Sequence, residues 1–170
     1  MTSTNWKEFG KNDLTHSNAH YLMAIQALHQ EQGYARLSDV AKRLKISKGS
    51  LSTSLKPLIK RKLILEDENK HLTLSETGQT HANNIENTYS VIKHLLRDVL
   101  KVDNKTAEID ACKIEHLLSP ESTSEILRMV KALEANPNLK KELEKTMHDY
   151  DTCSIQGCGT CDNKTFCLKT

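Results

Sequence analysis

The sequence predicts a mainly α-helical fold that carries one small β-hairpin. Gly and Pro are rare, at six and three among 170 residues, so few positions interrupt a helix. Apolar residues recur at intervals of three and four along most of the chain, which is the helical period. Two short apolar runs on either side of residues 67–70 depart from that period and indicate a pair of strands.

The first element is a helix that starts at Ser17 and ends before Gly33. Its apolar stripe consists of Tyr21, Leu22, Ile25 and Leu28. Residues 37–44 predict a second, short amphipathic helix. A third helix begins after Ile46, and Ser47 has the side chain of an N-cap residue.

The third helix has two chemically different faces. One face is apolar and comprises Leu51, Leu55, Leu58 and Ile59. The opposite face combines lysines with small hydroxyl residues, namely Lys48, Ser50, Ser52, Thr53 and Lys56. Such a face has no bulky obstruction and suits the major groove of DNA.

Residues 63–66 and 71–74 predict two strands, joined by a polar tip at residues 67–70. Three helices followed by a strand pair predict a winged helix-turn-helix over residues 14–78. The residues predicted to contact DNA are Arg36, Ser47, Lys48, Ser50, Ser52, Thr53, Lys56 and Lys70.

The charge distribution agrees with a polyanionic partner. Residues 1–62 hold eleven Lys and Arg against four Asp and Glu, whereas residues 63–170 hold thirteen against eighteen. A basic N-terminal part suggests nucleic acid. On charge alone, a solvated lysine-rich surface is the alternative.

The second half predicts further helices over residues 78–100, 104–118, 121–135 and 138–150. On the helix 104–118, Cys112, Glu115 and His116 are spaced i, i+3 and i+4, so they share one face. Their mixed sulfur, oxygen and nitrogen donors suit ferrous iron, cobalt, nickel or zinc. The alternative is a buried small cysteine beside an exposed pair.

Four of the five cysteines lie in the last eighteen residues, as Cys153, Cys158, Cys161 and Cys167. Their C-x4-C-x2-C-x5-C spacing predicts a [2Fe–2S] or [4Fe–4S] iron-sulfur cluster. Structural zinc is the main alternative, because four-thiolate zinc sites also use C-x2-C pairs. Disulfides or free thiols are the third interpretation, and nothing else in the sequence is typical of secretion.

Four segments together resemble the diphtheria toxin repressor family of metal-dependent transcription regulators, which includes the manganese-transport regulators. They are His20-Tyr21-Leu22 and residues 33–41, 72–78 and 111–119, and the resemblance extends from about Leu14 to Leu133. It implies that His20 joins Cys112, Glu115 and His116 as the fourth metal ligand. His20 stands where methionine or aspartate is more usual.

The resemblance also implies a helical dimerisation domain and a homodimer that binds a palindromic operator in double-stranded DNA. The expected parts are a DNA-binding domain over 1–78, a dimerisation and metal-sensing domain over 79–150, and a cysteine-rich tail over 151–170. The family's ancillary metal site corresponds to Tyr89, Lys93 and Glu108, which predicts that this second site is lost.

These observations predict an iron-responsive transcriptional repressor. Its operator binding would be controlled by an iron-sulfur cluster on the tail, by Fe(II) at the internal site, or by both. Two alternatives remain: a regulator with a structural zinc tail that senses Fe(II) or Mn(II) internally, and an electron-transfer or cluster-carrier protein. No catalytic constellation is recognisable. No membrane span or leader is expected, so the predicted location is the cytoplasm.

Overall fold

The computed structural model describes residues 14–149. The four tail cysteines Cys153, Cys158, Cys161 and Cys167, and the cluster predicted on them, lie outside the described residues. The chain divides into two compact units, Met1–Val130 and Lys131–Thr170. All contacts described below belong to the first unit.

Helix α1 spans His16–Gln32 and is defined at both ends by its sequence. The Thr15 hydroxyl accepts a hydrogen bond from the backbone N–H of Asn18, which caps the first turn. Gly33 ends the helix in the left-handed region at φ 81°, where glycine has no steric penalty. Leu22 and Ile25 are fully buried against the following elements.

Helices α2 (Leu37–Leu44) and α3 (Lys48–Lys60) confirm the predicted helix-turn-helix. The Ser47 hydroxyl accepts from the backbone N–H of Ser50, as expected of an N-cap. Leu51, Leu55 and Leu58 of α3 are buried, Ile59 is partly buried, and the helix continues through Pro57. Packing of α3 against α1 leaves the lysine and hydroxyl face in solvent.

The hairpin consists of β1 (Ile64–Glu66) and β2 (Leu72–Leu74), which are antiparallel, with Leu65 opposite Thr73. Each strand is one residue shorter than predicted. His71 lies outside the two-stranded ladder because it pairs instead with Arg36, in an isolated bridge next to α2. This bridge attaches the hairpin to the helices.

Helix α4 spans Glu76–His94, and a π-helical turn follows at Leu95–Val99. The sequence predicted a single α-helix over residues 78–100. The π-helical turn corrects that prediction, because the α-helix ends at His94. Near its start, Gly78 packs so closely against the Leu63 carbonyl that a Cβ atom there would clash. The start of α4 is therefore fixed against the hairpin.

Helix α5 spans Asn104–Ile114 and is capped by Asp103, whose carboxylate accepts from the Thr106 N–H. It ends four residues earlier than the predicted 118, because the chain turns after Ile114. Helices α6 (Pro120–Ala135) and α7 (Pro137–Asp149) follow. Thr123 in α6 shares a buried hydrogen bond with Thr88 in α4, 3.0 Å between the hydroxyl oxygens.

One apolar core unites α1 to α4 with the hairpin. Its largest fully buried side chains are Leu22, Ile25, Val40, Leu51, Leu55, Leu58 and Ile64. Predominantly helical structure with one two-stranded sheet confirms the predicted fold class. No helix within residues 14–149 is both long and apolar enough to cross a membrane.

Candidate metal centre

The first turns of α1 supply two histidines to the metal centre. His16 and His20 are four residues apart on a helix, so their rings lie on the same face. The two Nε2 atoms are 3.1 Å apart, and the rings meet edge to face with centroids separated by 4.5 Å. Both ring nitrogens thus point toward a common space.

Helix α5 brings a thiol and a carboxylate to the same space. The Sγ atom of Cys112 is 3.3 Å from the His20 Nε2 atom and 3.9 Å from the His16 Nε2 atom. The Oε1 atom of Glu115 is 3.7 Å from the His20 Nε2 atom. One potential ligand atom from each of His16, His20, Cys112 and Glu115 lies within 4.8 Å of the other three.

Glu115 is the acidic side chain of this group, and it is buried. Its side chain is 1% exposed, and its buried Oε1 atom has no hydrogen-bond partner among the described residues. Burial raises the pKa of this carboxyl group to about 7. A bound divalent ion would compensate the desolvated carboxylate that the fold places there.

The neighbouring groups show shifts of the same origin. Burial, followed by the nearby His16 and His116 rings, lowers the pKa of His20. Burial and then Glu115 raise the pKa of the Cys112 thiol. Neutral imidazoles offer lone pairs to a metal, and a metal favours the thiolate form of cysteine. The residues present therefore fit a divalent metal ion.

Three of the four ligands predicted from sequence, His20, Cys112 and Glu115, are brought together. The fourth, His116, lies beyond the end of α5, with its ring centroid 5.2 Å from that of His16. Its role as a ligand remains a prediction. His16 takes its place in the convergent group, and the His-x3-His spacing on a helix was the signal that could have identified it.

The predicted ancillary position contains an ion pair. The Nζ atom of Lys93 is 2.7 Å from the Glu108 Oε1 atom and lies 5.7 Å from the centre of the Tyr89 ring. The Asn104 amide donates to the same carboxylate oxygen at 3.2 Å. The Lys93 ammonium group therefore lies between the Glu108 carboxylate and the Tyr89 ring.

Most of the predicted DNA contacts lie on one exposed surface of α3. Lys48, Ser50, Ser52, Thr53 and Lys56 are all solvent-exposed, as is Lys70 at the tip of the hairpin. Ser47 is also exposed, but its hydroxyl caps α3. The Arg36 Nε atom donates to the His71 Nε2 atom at 3.2 Å, and its guanidinium stacks on the Tyr34 ring.

Lys70 forms an ion pair with Glu66, 3.3 Å between the charged atoms. The side chain of Thr53 donates back to the Gly49 carbonyl oxygen. These two residues, like Ser47 and Arg36, therefore have partners within the chain. Lys48 and Lys56 are the exposed cations of α3 best placed to meet phosphate groups.

Residues 75–144 match the family described as iron dependent repressor, metal binding and dimerisation domain. The chain is 30% identical to the HTH-type transcriptional regulator MntR of Lysinibacillus sphaericus, over 79% of this chain and 98% of that protein. It is 24% identical to the diphtheria toxin repressor of Corynebacterium diphtheriae, over 74% of this chain and 55% of that protein.

Solved structures show the same fold at lower identity. T. acidophilum IdeR superposes with a TM-score of 0.56 at 23% identity, covering 68% of this chain and 54% of that one. The metal-dependent transcriptional regulator MtsR gives a TM-score of 0.60 at 19% identity, covering 69% and 54%. The chain thus spans about half the length of these larger structures.

Proposed function

Because this chain belongs to the diphtheria toxin repressor family of metal-dependent transcription regulators, we propose that it is a repressor whose operator binding responds to iron. Metal-dependent repression is the function of the family, and this chain is a regulator of that type and not an enzyme. The iron specificity, the ligands and the operator are the proposal. We also propose that the regulator acts on double-stranded DNA in the cytoplasm.

A single observation supports the proposal: a cluster of potential metal ligands joins α1 to the end of α5. His20 is contributed by the first helix of the DNA-binding part, whereas Cys112 and Glu115 belong to the helices beyond it. An ion bound by His20, Cys112, Glu115 and His116 would supply positive charge at the buried carboxylate and bond both elements at once. Ligation then favours one arrangement of the two elements over others.

In a homodimer this arrangement determines the spacing of two copies of α3. A palindromic operator presents its half-sites about one helical turn apart, so both copies bind only when their separation matches. Metal and DNA would thereby be linked, with each raising the affinity for the other. The proposed parts remain residues 1–78 for DNA, 79–150 for dimerisation and metal, and 151–170 for the tail.

The affinity for DNA would come from exposed cations on α3. Lys48, in the first turn of α3, and Lys56, one residue after Leu55, are both solvent-exposed. Each phosphate contact releases counterions, which makes binding dependent on salt. The exposed hydroxyl groups of Ser50 and Ser52 are the proposed contacts to base edges.

The iron signal has two proposed sources. Fe(II) suits the mixed nitrogen, sulfur and oxygen donors of the internal site, as do zinc and cobalt, and Mn(II) is the alternative there. Cys153, Cys158, Cys161 and Cys167 would hold an iron-sulfur cluster, for which their spacing alone is the support. Structural zinc on the tail is the competing outcome of the test below.

Metal-controlled DNA binding can be measured by fluorescence anisotropy on operators selected from a random library. Without oxygen, Fe(II) should raise the affinity of the wild type, and a chelator should reverse the change. Lys48→Ala and Lys56→Ala should each reduce the slope of log affinity against log salt by about one. Lys141→Ala, an exposed lysine on α7, is the matched control. DNA binding that is indifferent to every metal and chelator would reject the proposal.

The tail is tested by visible absorption together with iron, sulfide and zinc analysis of anaerobically purified protein. Broad visible absorbance with stoichiometric iron and sulfide, lost in Cys161→Ser, is the expected result. Colourless protein with zinc lost in Cys161→Ser would make the tail a structural zinc site. The internal site would then be the source of the signal.

A further inference from the structure

His16 is an exposed residue in the first turn of α1, and the set of ligands expected from sequence leaves it out. We propose that His16, in place of the His116 expected from the sequence, is the fourth ligand of the internal metal ion, and that the donor set His16, His20, Cys112 and Glu115 selects zinc, cobalt or ferrous iron over Mn(II). The inference rests on the proposed function, because it concerns the ion to which the regulator responds.

The distances among the two imidazole nitrogens and the thiol sulfur already suit a single small ion, and the Glu115 oxygen lies within 4.8 Å of all three. Two ligands of a tetrahedral ion with bonds of 2.0 to 2.3 Å lie roughly 3.3 to 3.8 Å apart. His16 Nε2 is 3.1 Å from His20 Nε2 and 3.9 Å from Cys112 Sγ. His20 Nε2 is 3.3 Å from Cys112 Sγ. Each of these separations is within a few tenths of an ångström of the tetrahedral range, so small rotations of the side chains suffice.

The orientation of His16 distinguishes it from an ordinary surface histidine. An exposed ring at a helix start is free to turn its nitrogen atoms toward water. Here the Nε2 atom faces the His20 Nε2 atom instead, and the ring also lies against that of His116, at 5.2 Å between centroids. Two imidazole nitrogens at this distance share one hydrogen, or both direct lone pairs at a cation between them.

The acidic donors of this group also favour the binding of a cation. The Oε1 atom of Glu115 is buried without a hydrogen-bond partner in the described structure, and the Cys112 thiol becomes an anion when it binds a metal. Two anionic and two neutral donors leave a divalent ion electrically balanced. An open cavity of about 500 Å³, lined by His16, His20, Cys112 and Glu115 among others, gives ions access from solvent.

The second imidazole has a consequence for selectivity. Mn(II) prefers oxygen ligands and forms the weakest complexes of the divalent series with nitrogen and sulfur. Zinc accepts two imidazoles, a thiolate and a carboxylate in tetrahedral geometry. His16 should therefore add more to the affinity for zinc, cobalt and ferrous iron than to that for manganese.

Cobalt(II) is a spectroscopic probe of this assignment. Full-length wild type, His16→Ala, His81→Ala and Cys112→Ser are titrated with Co(II) without oxygen, and zinc and Mn(II) affinities follow by competition. The tail cysteines are present in every variant, so the absorbance lost in Cys112→Ser reports the internal site alone. His81, a half-buried histidine of α4 outside the group, is the matched control.

We expect His16→Ala to weaken the visible bands that depend on Cys112 and to lower the affinity for zinc at least about tenfold. The affinity for Mn(II) should change much less, and His81→Ala should match the wild type. His16→Cys should restore strong binding and intensify the sulfur-to-cobalt charge-transfer band, because a second thiolate then bonds the ion. Circular dichroism confirms that each variant is folded.

If His16→Ala keeps the bands and the zinc affinity while Cys112→Ser loses both, His16 is not a ligand, although the internal site and the proposed function stand. A loss of zinc and Mn(II) affinity by the same factor would reject the claim of selectivity. Identical spectra for wild type and Cys112→Ser would mean that no ion binds at Cys112. That result would reject this inference together with metal sensing at the internal site.

Discussion

Two clusters of polar side chains lie along one face of α5, and they differ in how the charge of a carboxylate is compensated. Glu108, Cys112 and Glu115 are spaced four and three residues apart, so they follow one another along that face. Glu108 meets the ammonium group of Lys93 at 2.7 Å. Glu115 is buried, and its Oε1 atom accepts no hydrogen bond within residues 14–149.

The pKa shifts of the two carboxyl groups have opposite signs. The hydrogen bond from Lys93, followed by that from Asn104, lowers the pKa of Glu108. Burial raises the pKa of Glu115 to about 7. The first cluster contains its own cation, whereas the second consists of electron-pair donors that could bind a cation. The comparison teaches that two carboxyl groups on one face of a helix can have opposite environments, one paired with an internal cation and one placed among potential metal ligands.

The largest effect on metal affinity should come from Glu115→Gln, which removes the negative charge that would attract the metal ion. We expect the internal site to lose affinity for divalent metal by about 100-fold or more, measured by competition with a chelator. Without metal, the free energy of unfolding should stay level or rise by about 1 to 3 kcal/mol, because the uncompensated buried charge is gone.

Glu108→Gln is the matched control for this experiment, since it removes a carboxylate from the same face of α5. It should leave the metal affinity of the internal site nearly unchanged. Equal losses of affinity in the two variants would show that both carboxylates serve one site. The contrast between the clusters would then be wrong.

Cys112→Asp should have the second-largest effect, because it replaces the soft donor with a hard one. The preference for zinc over Mn(II) should narrow by about tenfold or more, with binding retained. Competition between the two ions, monitored by the electron paramagnetic resonance of free Mn(II), measures this ratio. An unchanged ratio would mean that the thiol does not bond the ion.

Local patterns predicted most of the fold. The Ser47 cap and the buried stripe of α3 follow from short-range chemistry, and the structure confirms both. The π-helical turn at Leu95–Val99 could not be predicted, because its residues keep a helical apolar period. Wider turns of this kind depend on packing with other elements, which a sequence pattern does not contain.

The candidate site was predicted in part for similar reasons. Spacing alone placed Cys112 and Glu115 together. The prediction for His116 assumed that the helix continued to 118, whereas it ends at Ile114 and the chain turns. The His-x3-His spacing could have indicated His16 as a possible ligand, but assigning it to this site required knowing that the start of α1 packs near Cys112, a contact between residues 96 positions apart. Such long-range proximity is a property of the fold rather than of any local motif.

Lys93→Glu should convert the completed cluster into one that needs an ion. The substitution replaces the internal cation with a second carboxylate beside Glu108 and the Asn104 side chain. Oxygen donors suit Mn(II), Mg(II) or Ca(II), and we expect one additional weak site with a Kd of about 0.1 to 1 mM. Isothermal titration calorimetry with Mn(II) measures the number of sites, which Lys93→Gln should leave at the wild-type value.

The smallest effect should come from Lys93→Met, which removes the ammonium group and keeps the aliphatic stem. Lys93 and Glu108 are partly exposed, at 22% and 43% of their side chains, so the loss of their ion pair should lower Tm only slightly and less at high salt.

Lys93→Met should also change the metal affinity of the internal site. With the ammonium group removed, Glu108 keeps its hydrogen bond from Asn104 but has an uncompensated charge one helical turn from Cys112, so the affinity for divalent metal should rise, by about twofold at low salt. A fall in metal affinity would instead mean that Lys93 helps to position the ligands, and the two clusters would have to be treated as one functional unit.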